Sequence, residues 1–227
     1  MPSTKSTEIN EPKDLSQFID HTLLSANSTR EQIEALCRQA REFNFAAVCV
    51  LPTYVSLAKD LLKDSAVKVA TVIGFPLGAT FTETKAFEAT QCIDAGADEL
   101  DMVINIGALK NKDYALVERD IRGVVKVSGD ACVKVIIETA QLTDDEKIKA
   151  CELSRTAGAD YVKTCTGFGG GGATVPDVKL MAKAVKFKLK VKASGGIKTF
   201  FQAADLVRAG AHRIGTSSGI NIVTKKE

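Results

Sequence analysis

Short apolar runs alternate along the chain with longer segments in which apolar residues recur every three or four positions. Residues 46–50 (AAVCV) form an unbroken apolar run, which is typical of a strand buried on both faces. The segment before it, residues 29–43, places Ile33, Leu36 and Ala40 on one face of a helix. Because apolar runs and periodic segments alternate, the pattern predicts a parallel sheet covered by helices.

The same alternation predicts eight strands joined by seven helices, and this number of elements in 227 residues indicates a closed parallel barrel. We therefore predict a single-domain α/β protein, a (β/α)8 TIM barrel over residues 16–227, preceded by a polar N-terminal segment over residues 1–15. Ser28 is the expected cap of the first helix and Thr82 of the third. The predicted strands are residues 18–22, 46–50, 67–75, 99–105, 132–138, 160–164, 190–193 and 212–215; the predicted helices are residues 29–43, 52–62, 83–95, 111–127, 143–156, 175–184 and 200–209.

Three segments of the chain share one layout. Ala-Gly-Ala begins at positions 95, 157 and 209, and in each case a strand follows within two residues. The glycine is expected to end the preceding helix in the left-handed conformation, which any repeated βα unit can require. The seventh position of the layout holds Asp101, Lys163 and Gly215, and helix capping does not explain these residues.

Charge and composition argue against several classes of partner. The chain has 30 basic and 28 acidic residues, so neither nucleic acid nor an anionic membrane is expected. The polar start of the chain does not resemble a signal peptide, and the six cysteines form no C-x-x-C pair, so we predict a cytoplasmic protein with reduced cysteines. The two histidines lack the spacing of a metal site, and we expect none.

Lys163 ends a short apolar strand and is followed closely by a loop rich in glycine, residues 167–172. Side chains near the carboxyl ends of barrel strands line the active site of this fold, and Asp101 and Lys192 are predicted to face the same mouth. One interpretation is a structural ion pair with Asp101, because buried charges need partners. The other is a nucleophile, since two ammonium groups held close together disfavour protonation and leave one amine free to attack a carbonyl. The presence of a third charged residue favours the nucleophile.

Two loops are predicted to hold a phosphate group. Residues 194–199 (SGGIKT) follow the seventh strand and residues 215–219 (GTSSG) follow the eighth, where barrels of this kind bind phosphate through amides and hydroxyls. Glycine in these loops allows close approach of the backbone to a ligand. The predicted substrate- and phosphate-binding residues are Gly167, Gly171, Gly195, Gly196, Lys198, Gly215, Ser217 and Ser218.

Further polar residues are expected to line the site or to support it from behind. Lys190 shares the inward parity of Lys192 but is expected deeper in the barrel or at its opposite rim. Glu138 ends the fifth predicted strand, where it either lines the mouth or caps a helix. The predicted lining residues are Asp20, Thr22, Cys49, Asn105, Lys134 and Thr166.

These motifs resemble the deoxyribose-phosphate aldolase family. The resemblance runs over residues 17–220 and implies a class I aldolase with the (β/α)8 barrel and with no metal or other cofactor. Such an enzyme joins acetaldehyde and glyceraldehyde 3-phosphate reversibly to 2-deoxyribose 5-phosphate. The matching segments are IDHTLL (19–24), AVCV (47–50), VIGFPLG (72–78), ELDMVIN (99–105), VKT (162–164), TGF (166–168) and VKASGG (191–196).

The resemblance also implies roles for individual residues. Lys163 would form the Schiff base, Lys192 would keep Lys163 uncharged and take part in proton transfer, and Asp101 would exchange protons through a water molecule. The expected partners are small phosphorylated sugars and aldehydes, in the degradation of deoxyribose phosphates. Both a homodimer and a homotetramer remain open.

The chain departs from the usual pattern of this family in several places. Lys198 stands where arginine is frequent, which replaces a bidentate fork beside the phosphate with a point charge. Cys165 stands where serine is common, Gly170 where a side chain is common, and Leu51 where asparagine is usual. Residues 224–227 (TKKE) do not include the terminal tyrosine that aids proton transfer in some members, so that role is not carried over.

Two other functions are compatible with the same residues. A pyridoxal-phosphate enzyme also combines a lysine imine with a phosphate loop, and purified protein without a yellow chromophore would exclude it. A non-catalytic sensor of sugar phosphates would keep the phosphate loops, and measurable cleavage of deoxyribose 5-phosphate would exclude it. We predict the aldolase because all three reactive residues are present.

Overall fold

The computed structural model of this chain describes residues 9–186 and 188–226. Its strands form a closed parallel barrel in which each strand pairs with the next and the eighth pairs with the first. The predicted TIM barrel is therefore confirmed. The strands are β1 (Ile19–Leu23), β2 (Ala47–Val50), β3 (Lys68–Ile73), β4 (Glu99–Val103), β5 (Cys132–Ile136), β6 (Tyr161–Lys163), β7 (Lys190–Ser194) and β8 (Arg213–Thr216).

Helices follow the strands and cover the barrel, and several of them have short additions that the sequence pattern did not predict. Asn105 lies beyond β4, and its side chain caps a short helix by accepting a hydrogen bond from the Ala108 amide at 3.0 Å. The predicted strand placement of Asn105 is therefore wrong. The helices are α1 (Arg30–Glu42), α2 (Val55–Leu62), α3 (Thr82–Asp94), α4 (Ile106–Lys110), α5 (Tyr114–Val127), α6 (Asp144–Ala157), α7 (Val175–Ala184), α8 (Phe200–Arg208) and α9 (Gly219–Thr224), with 3-10 turns at Pro12–Phe18, Pro52–Tyr54 and Thr139–Gln141.

Two of the predicted helix caps are wrong by one residue. Thr29 caps α1 in a capping box with Gln32, whereas the Ser28 hydroxyl donates to the Ser25 carbonyl. Thr82 is the first residue of α3, and Phe81 precedes it without a side-chain cap. In both cases several hydroxyl residues stand near the helix start, and composition does not decide which one has the extended backbone that a cap requires.

The Ala-Gly-Ala layout has a structural role that its three copies share. Gly96, Gly158 and Gly210 all have positive φ angles, of 101°, 90° and 115°. The residue two positions later then accepts a hydrogen bond from an amide of the preceding strand. Asp98 accepts from Val69 at 2.9 Å, Asp160 from Val133 at 2.8 Å and His212 Nδ1 from Val191 at 3.3 Å. The repeat therefore fastens the amino ends of adjacent strands together.

The start of the described chain packs onto the barrel. Ile9 and Leu15 are buried in the core, and the turn at Pro12–Phe18 lies against α9. The sequence predicted a polar N-terminal segment over residues 1–15, and the described part of that segment instead packs on the barrel through Ile9 and Leu15. These are isolated apolar residues in a polar stretch, so the sequence pattern did not indicate their burial. Residues 1–8 of that segment lie outside the described residues.

The interior of the barrel contains few large apolar side chains. A small cluster inside it consists of Leu24, Ala47, Cys49, Ala70 and Val72, separate from the large core between strands and helices. The space left by these small residues is filled by charged side chains, which are described below. Among the described residues, no helix has the length and apolar character needed to cross a membrane.

Candidate active site

Six charged side chains inside the barrel, five of them buried and Arg213 partly exposed, form a closed ring in which anions and cations alternate. We call this set the ionic ring. Lys134 Nζ lies 2.9 Å from Asp101 Oδ1 and 2.6 Å from Glu99 Oε2. Lys192 Nζ lies 2.7 Å from Asp101 Oδ2 and 2.5 Å from Asp20 Oδ2. In order, the members are Asp101, Lys134, Glu99, Arg213, Asp20 and Lys192, and the last pairs again with the first.

Arg213 closes the ring on the side opposite Asp101. Its Nη2 atom lies 2.8 Å from Glu99 Oε2 and its Nε atom lies 2.6 Å from Asp20 Oδ1. The guanidinium group suits this position because its fixed fork can serve two carboxylates at once. Every member of the ring therefore has two partners of opposite charge.

Lys163 is attached to this ring from outside. Its Nζ atom lies 2.7 Å from Asp101 Oδ2, the same oxygen that Lys192 contacts. Within the described residues this is the one carboxylate that pairs with Lys163, whereas each cation of the ionic ring pairs with two. Lys163 is therefore the least neutralised cation of the group.

The pKa values of the ring follow from competition between burial and pairing. Burial alone would raise the pKa of Asp101, but Lys134, Lys163 and Lys192 outweigh it and hold the pKa well below its usual range. For Asp20, Lys192 and Arg213 likewise overcome burial and lower the pKa to about 2.

The cations shift in the opposite direction. Burial would lower the pKa of Lys192, but Asp101 and Asp20 raise it above the ordinary lysine value. Lys134 has its pKa raised by Asp101 and Glu99 against the same effect of burial. Asp20, Asp101, Lys134 and Lys192 therefore keep their charges at neutral pH.

A cavity of about 420 Å³ opens at the carboxyl ends of the strands, and Lys163 reaches it. This volume lies within the range typical of small-molecule sites. Asp101 and Lys192 are fully buried beneath Lys163 and do not line the cavity. Of the three predicted catalytic residues, Lys163 alone therefore lines the cavity, and the other two are buried away from it.

Most of the predicted phosphate-binding residues line one side of this cavity. The Thr216 hydroxyl donates to the Ile197 carbonyl at 2.7 Å, which joins the loops after β7 and β8. Ser218 is not among the lining residues; it lies at the start of α9, and its amide donates to Thr216 Oγ1 at 2.9 Å. The predicted residues that line the cavity are Gly167, Gly195, Gly196, Lys198, Gly215 and Ser217.

Gly215 serves the lysine as well as the cavity. A β-carbon at this position would lie 3.0 Å from Lys192 Cε and 3.0 Å from Ser194 Cβ. These distances are shorter than ordinary packing contacts. Any larger residue at position 215 would therefore crowd the Lys192 side chain, and glycine provides the space that this side chain occupies.

The glycine-rich loop after β6 owes several of its glycines to packing. A β-carbon on Gly171 would lie 2.3 Å from Ala140 Cβ, and one on Gly172 would lie 2.6 Å from the Gly195 carbonyl oxygen. Gly171 does not line the cavity. Gly171 lies beside Gly195, where a β-carbon would be 3.3 Å from the Gly171 carbonyl oxygen, but it supports the loop from outside the cavity lining.

The structure places the predicted lining residues in four different environments. Thr22 and Thr166 line the cavity. Asp20 and Lys134 belong to the ionic ring, and Cys49 is fully buried inside the barrel, where burial raises the pKa of its thiol. Asn105, as described above, caps α4. Lys190 is exposed at the opposite rim of the barrel, one of the two positions predicted for it.

Glu99 and Arg213 are the members of the site that the sequence analysis did not identify. Glu99 lies two residues before Asp101 and Arg213 two residues before Gly215, so both share the inward parity of residues that were identified. Because alternate residues of a strand point to the same face, this two-residue spacing was the signal that could have identified them. Both stand at the first residue of a strand, where a charged side chain normally reaches solvent.

Glu138 lies at the mouth, and its side chain does not cap a helix. Its backbone has φ 57° and ψ 65°, the left-handed region. Its Oε2 atom accepts hydrogen bonds from the amide of Thr166 at 3.1 Å and from the hydroxyl of Thr166 at 2.6 Å. The side chain therefore connects the end of β5 to the loop that follows Lys163.

A larger cavity, of about 700 Å³, lies at the amino ends of the strands. It is lined by acidic and basic residues together, including Asp130, Asp160 and Lys190, and Lys163 is not among them. Active sites of this fold are built from the loops at the opposite end, so size does not identify the site here. Among the described residues, no cluster of histidine, cysteine, aspartate and glutamate side chains is arranged to hold a metal ion.

Comparison with known proteins gives a consistent result. Residues 15–225 match the model of the DeoC/LacD family aldolase. A deoxyribose-phosphate aldolase from Thermococcus kodakarensis is 60% identical over 93% of this chain and 96% of its own length. One from Halalkalibacterium halodurans is 59% identical over 93% of this chain and 95% of its own length.

A solved structure extends the match to three dimensions. The deoxyribose phosphate aldolase from Aeropyrum pernix, which is described as having a unique tetrameric structure, superposes with a TM-score of 0.89 at 36% identity. The match covers 98% of this chain and 97% of that one. The chain belongs to the DeoC/LacD aldolase family.

Proposed function

We propose that this protein is a deoxyribose-phosphate aldolase that cleaves 2-deoxyribose 5-phosphate to glyceraldehyde 3-phosphate and acetaldehyde through a Schiff base on Lys163. The observation that carries the proposal is the position of Lys163. Among the residues that the structure describes, it is the one cation attached to the ionic ring that both exceeds the ring's charge balance and reaches the cavity.

The charge balance favours an uncharged amine. Around the ionic ring, three carboxylates face three cations, and each ion has two partners. A protonated Lys163 would add a fourth cation that shares Asp101 with two others. Because unpaired charge is costly inside a protein, the charge balance disfavours a fourth cation beside the ring. An uncharged amine at the base of the cavity is the nucleophile that an imine requires.

The reaction then proceeds by known imine chemistry. The amine of Lys163 adds to the C1 aldehyde of the open-chain sugar, and loss of water gives a protonated imine. The imine withdraws the electron pair of the C2–C3 bond as the C3 hydroxyl loses its proton, which releases glyceraldehyde 3-phosphate and leaves an enamine. Protonation of the enamine carbon and hydrolysis release acetaldehyde and restore Lys163.

Asp101 and Lys192 support the proton transfers from below the cavity. Both are fully buried, so protons pass between them and the substrate through Lys163 or through a water molecule. Lys192 keeps its own proton because Asp101 and Asp20 raise its pKa. It therefore acts as a permanent cation that neutralises Asp101 and disfavours a second positive charge on the same carboxylate.

The loops after β7 and β8 hold the phosphate group. Gly196 and Ser217 are exposed to the cavity, and Lys198 supplies a positive charge at its edge. Gly195 and Gly196 have φ angles of 93° and 75°, a conformation that glycine adopts without strain. As in the sequence analysis, Lys198 offers a point charge where an arginine would offer a fork.

Replacing Ser217 by aspartate is expected to raise the KM for 2-deoxyribose 5-phosphate about 10- to 100-fold, because a carboxylate at this exposed position repels the phosphate dianion. Self-condensation of acetaldehyde has no phosphate and should continue at its normal rate. Steady-state kinetics with both substrates measure the difference. Ser217→Ala is the matched control, since it removes the hydroxyl without adding charge. Equal losses with the two substrates would show a folding defect instead.

A direct assay tests the proposal as a whole. Purified protein is incubated with 2-deoxyribose 5-phosphate, and both aldehyde products are measured with coupled dehydrogenases. In parallel, acetaldehyde and borohydride are added, and the tryptic peptide that carries the reduced adduct is identified by mass. We expect cleavage and an adduct on Lys163. Absence of cleavage, or an adduct on another lysine only, would overturn the proposal.

The relatives also bear on the setting of the reaction. The tetramer of the Aeropyrum pernix protein favours a homotetramer over a homodimer for this chain. Cleavage rather than synthesis would place the protein in the degradation of deoxyribose phosphates in the cytoplasm.

A further inference from the structure

Glu138 is a buried carboxylate with no role in the ionic ring. It is 2% exposed, and its Oε1 atom makes no hydrogen bond within the described residues. Glu138 and Lys110 both line a second cavity of about 450 Å³ beside the active site. Lys110 does not pair with Glu138, because it pairs with Glu146 at 3.1 Å. Burying a carboxylate without a cation is unfavourable, so its presence calls for a reason.

The backbone at Glu138 adds to that cost. A residue with a β-carbon rarely adopts a φ of 57°, which favours glycine or asparagine. The conformation turns the side chain away from the barrel axis and toward the loop after β6. Gly169 of that loop packs directly on it, since a β-carbon there would lie 2.6 Å from the Glu138 carboxyl carbon. The loop and the carboxylate are thus built to fit each other.

The hydrogen bonds of Thr166 show what this arrangement accomplishes. The hydroxyl of Thr166 donates a hydrogen bond to Glu138 Oε2 at 2.6 Å and accepts a hydrogen bond from the Phe168 amide at 3.0 Å. A hydroxyl has one proton and two lone pairs, so one lone pair remains. Thr166 lines the same cavity as Lys163, and the group that it offers to a ligand is therefore an acceptor and not a donor.

We propose that Glu138 is a positioning residue that fixes the Thr166 hydroxyl as a hydrogen-bond acceptor, so that the site selects an aldehyde with a hydroxyl group beside the carbonyl carbon. This inference rests on the proposed aldol reaction. A substrate hydroxyl donates to the remaining lone pair of Thr166. An acceptor aldehyde with a methylene in that place leaves the lone pair unpaired and loses affinity in the transition state.

The test compares two acceptor aldehydes in the condensation with acetaldehyde. D-glyceraldehyde 3-phosphate has the hydroxyl, and 3-oxopropyl phosphate has the same aldehyde and phosphate without it. The measured quantity is the ratio of kcat/KM for the two acceptors. A change that only damages the fold lowers both values and leaves this ratio unaltered, so the ratio separates positioning from stability.

Three variants make the test specific. Glu138→Met removes the group that holds the Thr166 hydroxyl in one orientation, so that its free lone pair is no longer fixed toward the substrate, and is expected to reduce the preference for the hydroxylated aldehyde about tenfold. Glu138→Gln keeps an oxygen that can accept from Thr166 and should retain most of the preference. Thr166→Val removes the hydroxyl itself and should lose the preference as Glu138→Met does.

Two results would overturn the inference, and they differ from failure of the proposed function. The first is an unchanged ratio in Glu138→Met, and the second is an equal loss of preference in Glu138→Gln and Glu138→Met. If wild-type protein condenses neither aldehyde with acetaldehyde, the aldolase function itself is wrong, and that result is visible before any variant is compared.

Discussion

Replacing Lys163 by leucine is expected to abolish turnover of 2-deoxyribose 5-phosphate, with a fall in kcat of about 10⁵-fold or more, the scale of loss when a catalytic nucleophile is removed. Leucine is apolar and has no amine, so no imine forms. Borohydride trapping with acetaldehyde should give no adduct on the peptide that contains position 163. Rates of cleavage and mass spectra of the trapped protein measure both effects.

The same variant is expected to fold at least as well as the wild type. Asp101 keeps Lys134 and Lys192 as partners, and the ionic ring stays closed without Lys163. Leucine also places no charge beside the ring. The midpoint of thermal unfolding should therefore be unchanged or higher. A lower midpoint would show that the contact between Lys163 and Asp101 stabilises the folded protein, and would contradict the view that the ionic ring is balanced without Lys163.

Lys183→Leu is the matched control. Lys183 is an exposed lysine in α7, so its replacement should leave both trapping and turnover unaltered. Substantial turnover by Lys163→Leu, with trapping moved to another lysine, would assign the imine to a different residue.

The sequence predicted the barrel because its evidence is repeated along the chain. Each apolar run is followed by an amphipathic segment, and Gly96, Gly158 and Gly210 end their helices in the left-handed conformation, as expected from Ala-Gly-Ala. The errors lie at the ends of elements and in the short helices α4 and α9, which were not predicted. Asn105 was placed at the end of the predicted strand ELDMVIN, whereas its side chain accepts from a helix amide and the strand ends early.

The candidate site was predicted less completely, because it depends on distances across the barrel. Parity places Asp101, Lys134 and Lys192 on the inner face, but the stagger between neighbouring strands decides which charges meet. That stagger brings Arg213 of β8 to Glu99 of β4, a contact between strands on opposite sides of the barrel. No local pattern in the sequence encodes such a pair.

Glycine is ambiguous for a related reason. Gly196 and Gly171 look alike in the sequence, since both stand in glycine-rich loops after barrel strands. A β-carbon on Gly196 would meet nothing within 4 Å, whereas one on Gly171 would collide with Ala140. One glycine therefore faces the ligand space and the other fills a tight contact. Sequence alone does not distinguish these two uses of a missing side chain.

Replacing Lys192 by methionine is expected to destabilise the protein, because two buried carboxylates each lose a partner. In Lys192→Met, Asp20 keeps Arg213 alone, and Asp101 keeps Lys134 and Lys163. Breaking a buried ion pair costs about 3–5 kcal/mol, so the variant should be clearly less stable. The pKa of Lys192 is raised in the folded protein, so its contribution is fully present below the ordinary lysine pKa and is lost only above it. Unfolding measured at neutral pH therefore reports the whole effect.

The kinetic effect follows from the same charge balance. Without Lys192, three carboxylates face Lys134, Arg213 and Lys163, so the charge balance no longer disfavours a cation at Lys163. The imine should then form slowly at neutral pH, and kcat is expected to fall by about 10²- to 10⁴-fold. The pH–rate profile of the variant should also differ in shape from that of the wild type.

A matched control lies two residues away on the same strand. Lys190 is exposed at the opposite rim, so Lys190→Met should keep the wild-type pH–rate profile and stability. If Lys192→Met loses activity but its pH–rate profile keeps the shape of the wild-type profile, Lys192 does not set the charge of Lys163. The loss would then come from proton transfer alone, and the charge balance of the ionic ring would not be what keeps the nucleophile uncharged.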